Sequence, residues 1–197
     1  MMNLNEDNMR YVKSELKKES SWFEYRKGNI LSETDLDYII HQANCFNCMG
    51  AGVALALAKQ WPIVAAVDNK TEYGDKSKLG NFTFAKVSHS IRVGDEIVQK
   101  PVTVINMYSQ FYPGTCGPYE FQFDRLDAMK AGLDKIKDFI LNNLLEDVIV
   151  NKVAYVGIPW LIGCGISGLD ENDVFEIIKN AFESFSEHIK IVFVDFN

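Results

Sequence analysis

Residues Tyr38 to Gln60 read YIIHQANCFNCMGAGVALALAKQ, and this stretch decides the architecture of the chain. A short apolar run, Tyr38-Ile39-Ile40, reads as a strand that delivers His41, Gln42 and Asn44. A loop with Cys45 and Cys48 follows, then the small-residue turn Gly50-Ala51-Gly52, and a helical pattern starts at once. Strand, polar residues at its C-terminal end, glycine turn and helix together build an anion-binding pocket in α/β domains. A second segment, Tyr155 to Asp170, repeats the idea as YVGIPWLIGCGISGLD. Two glycine-bearing loops at strand ends can close on one ligand.

Working outward, Trp22 to Arg26 reads as the first strand, left through the turn Lys27-Gly28-Asn29-Ile30-Leu31. The central strand is expected over Tyr38 to His41. After it, Val53 to Gln60 has helix composition, and Trp61-Pro62 breaks it because a residue before proline avoids the helical region. A second helix is expected over Ile63 to Tyr73. Phe82 to Val87 reads as a strand, and Ile91 to Gln99 alternates and pairs with it through a turn at Ser88 to Ser90 that holds His89. Val102 to Met107 is an apolar run suited to burial on both faces. Tyr108 to Tyr119 contains the turn signals Pro113-Gly114 and Gly117-Pro118 and reads as a long functional loop. Helical spacing then runs to Leu145, Val153 to Ile158 is a buried strand, Asp170 to Phe185 is the last helix, and Ile189 to Val194 closes as a strand. Strands and helices interleave, so the class is α/β, with a mixed central sheet flanked by helices on both faces. Residues 1–21 are polar and read as an N-terminal extension, with one or two helical turns over Tyr11 to Lys18; residues 22–197 read as a single domain.

The bulk numbers narrow the function. At 197 residues, with a hydrophobic fraction of 47% and an aromatic fraction of 12%, the chain can bury a sizeable core. Its formal net charge of -7 argues against nucleic acid as a partner, since backbone binding wants a basic footprint. An anionic small ligand is still compatible, because backbone N–H groups hold phosphate without a lysine. The four cysteines are Cys45, Cys48, Cys116 and Cys164. Cys45 and Cys48 form a C-x-x-C, but no second such pair and no histidine at ligand spacing follows it. Packed, reduced thiols are therefore expected instead of a zinc or redox site. The opening residues MMNLNEDNMR lack the apolar core of a signal segment, and no apolar run reaches membrane-spanning length, so a cytoplasmic location and no membrane partner are expected.

The pattern HQANCFNCMGAGVALALAKQWP, then VINMYSQ, then IPWLIGCGISGLD before a helix, resembles the macro domain family. Within it the chain looks like the branch of ADP-ribose-1''-phosphate phosphatases and the terminal ADP-ribose glutamate hydrolase, with members in T4-like bacteriophages. The resemblance covers residues 22–197. It implies a ligand, ADP-ribose or its 1''-phosphate, laid across the C-terminal ends of the central strands. The position that reads adenine falls on Asn29, followed by Ile30. Gly50, Ala51, Gly52 and Val53 would hold one side of the diphosphate. Gly163, Cys164, Gly165, Ile166, Ser167 and Gly168 would form the opposing loop. Asn44 would bond the distal ribose, or else cap its own turn. Tyr108, or Phe111, would cover the ligand.

The chemistry is read from what stands at the two loops. The glutamate hydrolase uses a lysine and an aspartate whose places are held here by Met107 and Ser167, so that route is disfavoured. The phosphatases resemble the chain in the loop ending at Asp170. Asp170 or His41 would handle a proton, loop amides would stabilise charge on the phosphoryl oxygens, and water would attack. Asp170 also reads as an N-cap, and His41 as a satisfied core residue. No cofactor and no metal is implied. The expectation is a monomeric hydrolase converting ADP-ribose-1''-phosphate to ADP-ribose; a non-catalytic ADP-ribose binder or a de-ADP-ribosylating hydrolase is the alternative.

Overall fold

A computed structural model describes residues 22–116, 120–146 and 152–196. The expected N-terminal extension, its helical turns, and the Gly117-Pro118 turn with Tyr119 lie outside the described residues. The strands are β1 (Phe23–Lys27), β2 (Tyr38–Asn44), β3 (Phe82–Val93), β4 (Glu96–Gln110), β5 (Ala154–Pro159) and β6 (Ile189–Asp195). The helices are α1 (Gly52–Gln60), α2 (Pro62–Asp68), α3 (Gln122–Glu146) and α4 (Glu171–Phe182), with short 3-10 turns at Ile30–Ser32, Lys76–Lys78 and Glu183–Phe185. The six strands form one sheet in the order β1-β6-β5-β2-β4-β3. All neighbours are parallel except β3 and β4, which are antiparallel.

The strands alternate between two cores because successive side chains leave opposite faces. Ile40, Ile105, Ile158, Ile191 and Phe193 pack with Met129, Leu133 and Ile136 of α3 and with Phe175 and Ile178 of α4. Ile39, Val104, Val192 and Val194 face the other way, onto Leu57 of α1, Trp61 and Val64 of α2. The α/β sandwich expected from the sequence is thus present, with helices on both faces. Among the described residues no helix is long and apolar enough to cross a membrane.

Three local expectations are corrected. The central strand continues past His41 to Asn44, because Gln42 and Ala43 pair with Met107 and Tyr108 of β4. The β3–β4 turn falls at Gly94-Asp95, not at Ser88 to Ser90, so His89 lies mid-strand, buried against the Trp61 ring. Gly94 has φ +63°, the conformation a two-residue hairpin turn requires. Pro101 sits inside β4, in a stretch where only β3 is a partner, since pairing with β2 begins at Thr103; a residue without an N–H is tolerated there. The second helix ends at Asp68, where Thr71 takes over the chain through bonds to the Asp68 carbonyl.

Candidate functional site

The parallel strands β1, β6, β5, β2 and β4 end on one edge of the sheet, the edge where open α/β sheets bind ligands. A cleft of about 420 Å³ lies there, with the turn Gly50 to Val53 on one side and Gly163 to Ser167 on the other. Its floor is made by His41, Gln42 and Asn44 of β2 and Gln110 of β4; Pro113 and Gly114 close one end. A second pocket of about 390 Å³ continues from it past Gly52, Val53, Pro159, Trp160 and Leu161 to Gly28 and Asn29 beside β1. The two form one groove across the strand ends. Among the described residues, no Lys, Arg, Asp or Glu lines the 420 Å³ cleft.

Each wall is held differently. Asn44 ties down the first: its Oδ1 accepts from the Phe46 N–H at 2.9 Å and the Cys48 N–H at 3.4 Å, and its Nδ2 donates to the Cys48 carbonyl at 2.7 Å. Asn44 therefore acts first on its own turn, and its second amide hydrogen is the part available to a ligand. Cys45 packs beneath, fully buried, and burial pushes its thiol up to about 11; Cys48 is exposed at the cleft. All four cysteines are free thiols. Gly52, at φ +56°, starts α1 in the cleft lining, and the first N–H groups of a helix have no internal partners.

The second wall is held from behind by Arg125 of α3, a side chain with no exposed surface. Its guanidinium pairs with Glu120 at 2.6 Å and donates to the carbonyls of Gly114 at 2.8 Å and Ser167 at 3.2 Å, and to Gln110 Oε1 at 3.2 Å. Glu120 in turn accepts the Phe111 and Tyr112 N–H groups. One buried ion pair thus fixes both the 111–114 segment and the glycine loop. Ser167 Oγ lies 2.6 Å from Gln110 Oε1 and 2.8 Å from Gln42 Oε1. One hydroxyl proton cannot serve two carbonyls. Because Arg125 holds Gln110 Oε1 as an acceptor, the proton goes there, and the Gln42 amide is turned so that nitrogen faces Ser167 and oxygen faces the Ser109 hydroxyl, 3.0 Å away in the same contact. Gln42, Gln110 and Ser167 so form a neutral polar patch on the cleft floor.

Several expected site residues fall elsewhere. Asp170 is outside the cleft: it N-caps α4, its carboxylate accepting from the Asn172 and Asp173 N–H groups. Tyr108 lines neither pocket of the groove. It is 1% exposed within β4, and its hydroxyl donates to Asp68 Oδ1 at 2.8 Å and contacts Thr83 Oγ1 at 3.1 Å. Burial and Asp68 push its pKa up. Phe111 is buried against Phe46 and Tyr112. The Cys164 thiol turns away to the Ile162 carbonyl, and burial pushes it up to about 12. Gly168 does not line the cleft, whereas Ile166 stands exposed at its rim. Met107 is buried in the core under α3. Asn29 and Ile30 line the second pocket.

His41 reaches the cleft floor but is only 1% exposed. Its Nε2 lies 2.6 Å from Asn106 Oδ1. Asn106 Nδ2 donates to the Val64 carbonyl and to Thr83 Oγ1, so the oxygen must face the histidine and Nε2 carries the proton. Burial depresses the His41 pKa, outweighing the bonds to Asn106 and to the Gln42 carbonyl. The ring, held between Asn106 and the Gln42 carbonyl, positions the floor.

No family model matches the sequence. The chain is 29% identical over 174 residues to the uncharacterized 17.5 kDa protein of the tk-vs intergenic region of Enterobacteria phage T4, covering 87% of this chain and 94% of that protein. Among solved structures, the macrodomain of Thermus aquaticus DarG matches with a TM-score of 0.60 at 18% identity, over 87% of this chain and 97% of that one. The macrodomain of Mycobacterium tuberculosis DarG matches with 0.60 at 19% identity, over 86% and 96%. Thermosipho africanus DarTG in complex with ADP-ribose matches with 0.62 at 14% identity, over 88% of this chain and 41% of that one. At these identities the likeness is one of fold, and the fold of this chain is that of the macrodomain.

Proposed function

We propose that the protein binds ADP-ribose or an ADP-ribosyl group in the groove and hydrolyses the bond at the anomeric carbon of the distal ribose, releasing ADP-ribose from a modified target. The observation that carries this reading is a cleft between two glycine loops with, among the described residues, no charged side chain in its lining. Backbone N–H groups at a helix start and in a glycine loop hold a diphosphate without a cation. The groove volume falls in the range of small-molecule sites. A protein containing this fold has been solved in complex with ADP-ribose, which supports the ligand class.

With the diphosphate between the loops, the distal ribose rests on Gln42, Gln110 and Ser167. These neutral groups orient a water for attack on the anomeric carbon, which gains the water oxygen. The bond to the target atom breaks, and the water proton leaves with that atom. Binding energy spent on the diphosphate holds the sugar in place for this step. Phosphate release from ADP-ribose-1''-phosphate fits less well. That substrate brings about two further negative charges at neutral pH, with no Lys or Arg among the described residues of the cleft lining to meet them.

The test is to incubate the protein with a glutamate-linked ADP-ribosyl protein and, separately, with ADP-ribose-1''-phosphate, and to follow ADP-ribose and phosphate release. ADP-ribose from the first substrate is expected. Faster phosphate release from the second would assign the phosphatase reaction. Tight ADP-ribose binding with neither product would leave a binding module.

A further inference from the structure

His41 lines the cleft, yet its ring is held in a way that the hydrolytic reading does not use. On β2 it shares a face with Ile39, so it lies on the side of α1, α2 and the Gly50 to Val53 turn, whereas Gln42 lies on the side of Ser167. Both ring nitrogens face acceptors: Nε2 is 2.6 Å from Asn106 Oδ1, and Nδ1 is 3.1 Å from the Gln42 carbonyl. Neither acceptor can change its role. A backbone carbonyl has no proton to give. The Asn106 amide is fixed because its nitrogen donates to the Val64 carbonyl at 3.1 Å and to Thr83 Oγ1 at 3.0 Å. Thr83 meets the Tyr108 hydroxyl, which donates to Asp68, so the chain of donors runs one way, away from the ring. A half-turn of the imidazole would set carbon against both oxygens. With its single proton on Nε2, the ring leaves a bare Nδ1 against a bare carbonyl oxygen, and a second proton would turn that contact into a hydrogen bond.

What opposes the second proton is burial, since the ring is 1% exposed. Among the described residues no ionised group stands ready to offset that cost. The charged side chain on α1 is Lys59, at the end away from the cleft. At its cleft end β5 supplies Ile158 and Pro159, and the first wall supplies the Cys45 and Cys48 thiols. Asp68, at the end of α2, is separated from the ring by Asn106, Thr83 and Tyr108, and the Lys78 ammonium already acts on it. The remaining neighbour is the cleft itself, and an anion bound there is the missing counter-charge.

We propose that His41 takes up a proton from solvent when the groove binds its diphosphate, and that the imidazolium so formed is the cation of the site. The inference rests on the reading of the groove as a nucleoside-diphosphate-ribose site. Backbone N–H groups seat the diphosphate, and the ring, with both nitrogens engaged inside the protein, adds its charge through space. In the free protein burial lowers the His41 pKa, so the ring is neutral at neutral pH. The bound anion raises that pKa. Affinity is therefore greatest at low pH and falls as the pH rises through the value in the complex. The ligand's diphosphate is fully ionised throughout this range, so the linkage belongs to the protein.

The test is calorimetric titration of the full chain with ADP-ribose in buffers of different ionisation enthalpy, which counts the protons taken up, between about pH 6 and about pH 8. Wild type and His41→Gln are compared, with thermal melting to check the fold of the variant. Wild type is expected to take up protons on binding and to lose at least about threefold in affinity across the range. His41→Gln should bind without that uptake and with a flat pH profile. Should the variant not fold, nitrogen NMR of the wild-type imidazoles decides: of the three histidines, His41 alone should gain a proton when ADP-ribose is added. Binding by wild type with no proton uptake, uptake retained in His41→Gln, or a His41 ring that stays neutral in the complex overturns the inference and leaves the groove reading intact. Failure of ADP-ribose to bind wild type overturns the groove reading and the inference with it.

Discussion

The two walls of the cleft do the same job by different means. The Gly50 to Val53 wall is held by its own neighbourhood: Asn44 bonds residues two and four places along, and α1 begins where the turn ends. The Gly163 to Ser167 wall is held from a distance, by Arg125 of α3 together with Gln110 of β4 and Gln42 of β2. A locally tied loop can loosen without disturbing the rest of the fold. A loop tied by a buried ion pair fails with the core. The contrast predicts that mutations behind the second wall act on stability first, and mutations at the first wall act on the ligand first.

The largest effect should come from Arg125→Met. It leaves Glu120 charged and buried without its partner, a loss of about 3–5 kcal/mol, read as a fall in the unfolding midpoint in urea. A loss below 1 kcal/mol would show that the strut is not what holds the second wall. Next come the glycines. Gly163→Ala meets two obstacles, φ +79° and Leu169 Cδ1 at 2.9 Å from the new methyl, with the Gln42 amide and Met129 Cε at 3.3 Å. Gly52→Ala meets only the positive φ of +56°, with no atom within 4 Å. The first should cost roughly 2–3 kcal/mol and the second about 1 kcal/mol. Equal losses would erase the difference between the walls.

Asn44→Ala removes bonds to two backbone N–H groups and a carbonyl, worth about 1–2 kcal/mol in stability because the turn can rewet. ADP-ribose affinity should fall more than stability does, since the turn carries the diphosphate donors; calorimetry beside denaturation separates the two. The smallest change belongs to Asp170→Ala. Losing the cap of α4 costs about 1 kcal/mol, while affinity and turnover stay at wild-type values. A hundredfold loss of turnover in that variant would return Asp170 to the chemistry.

The same contrast explains what the sequence made legible. The first wall could be read along one stretch, because strand, turn and helix follow each other and Asn44 acts within four residues. The glycine pattern of Gly163 to Gly168 placed the second loop but not its support. Arg125 stands one helical turn before Met129, on the buried stripe that continues to Leu133 and Ile136. Its place in that register was the available signal. Its partners Gln110 and Ser167 are 15 and 42 residues away, and no local pattern pairs them. Tyr108 was read as the start of the long loop, whereas it lies within β4 with its hydroxyl on Asp68, 40 residues earlier, a pairing that no local pattern announces. At the hairpin, the Ser88-His89-Ser90 run suggested the turn, yet the two-residue signal Gly94-Asp95 was the one the strands used.

The central claim is that the groove between the two loops seats a nucleoside diphosphate ribose. Gly165 offers the most direct measurement. It lines the cleft, its φ is not in the left-handed region, and a methyl added there meets no atom within 4 Å. Gly165→Ala should therefore fold as wild type does, with the new methyl projecting into open space beside the bound diphosphate. Titration with ADP-ribose should show binding by wild type and at least about a tenfold weaker affinity in the variant, close to 1.4 kcal/mol, at an unchanged melting temperature. Unchanged affinity in the variant, or no binding by wild type at millimolar ligand, would contradict the account.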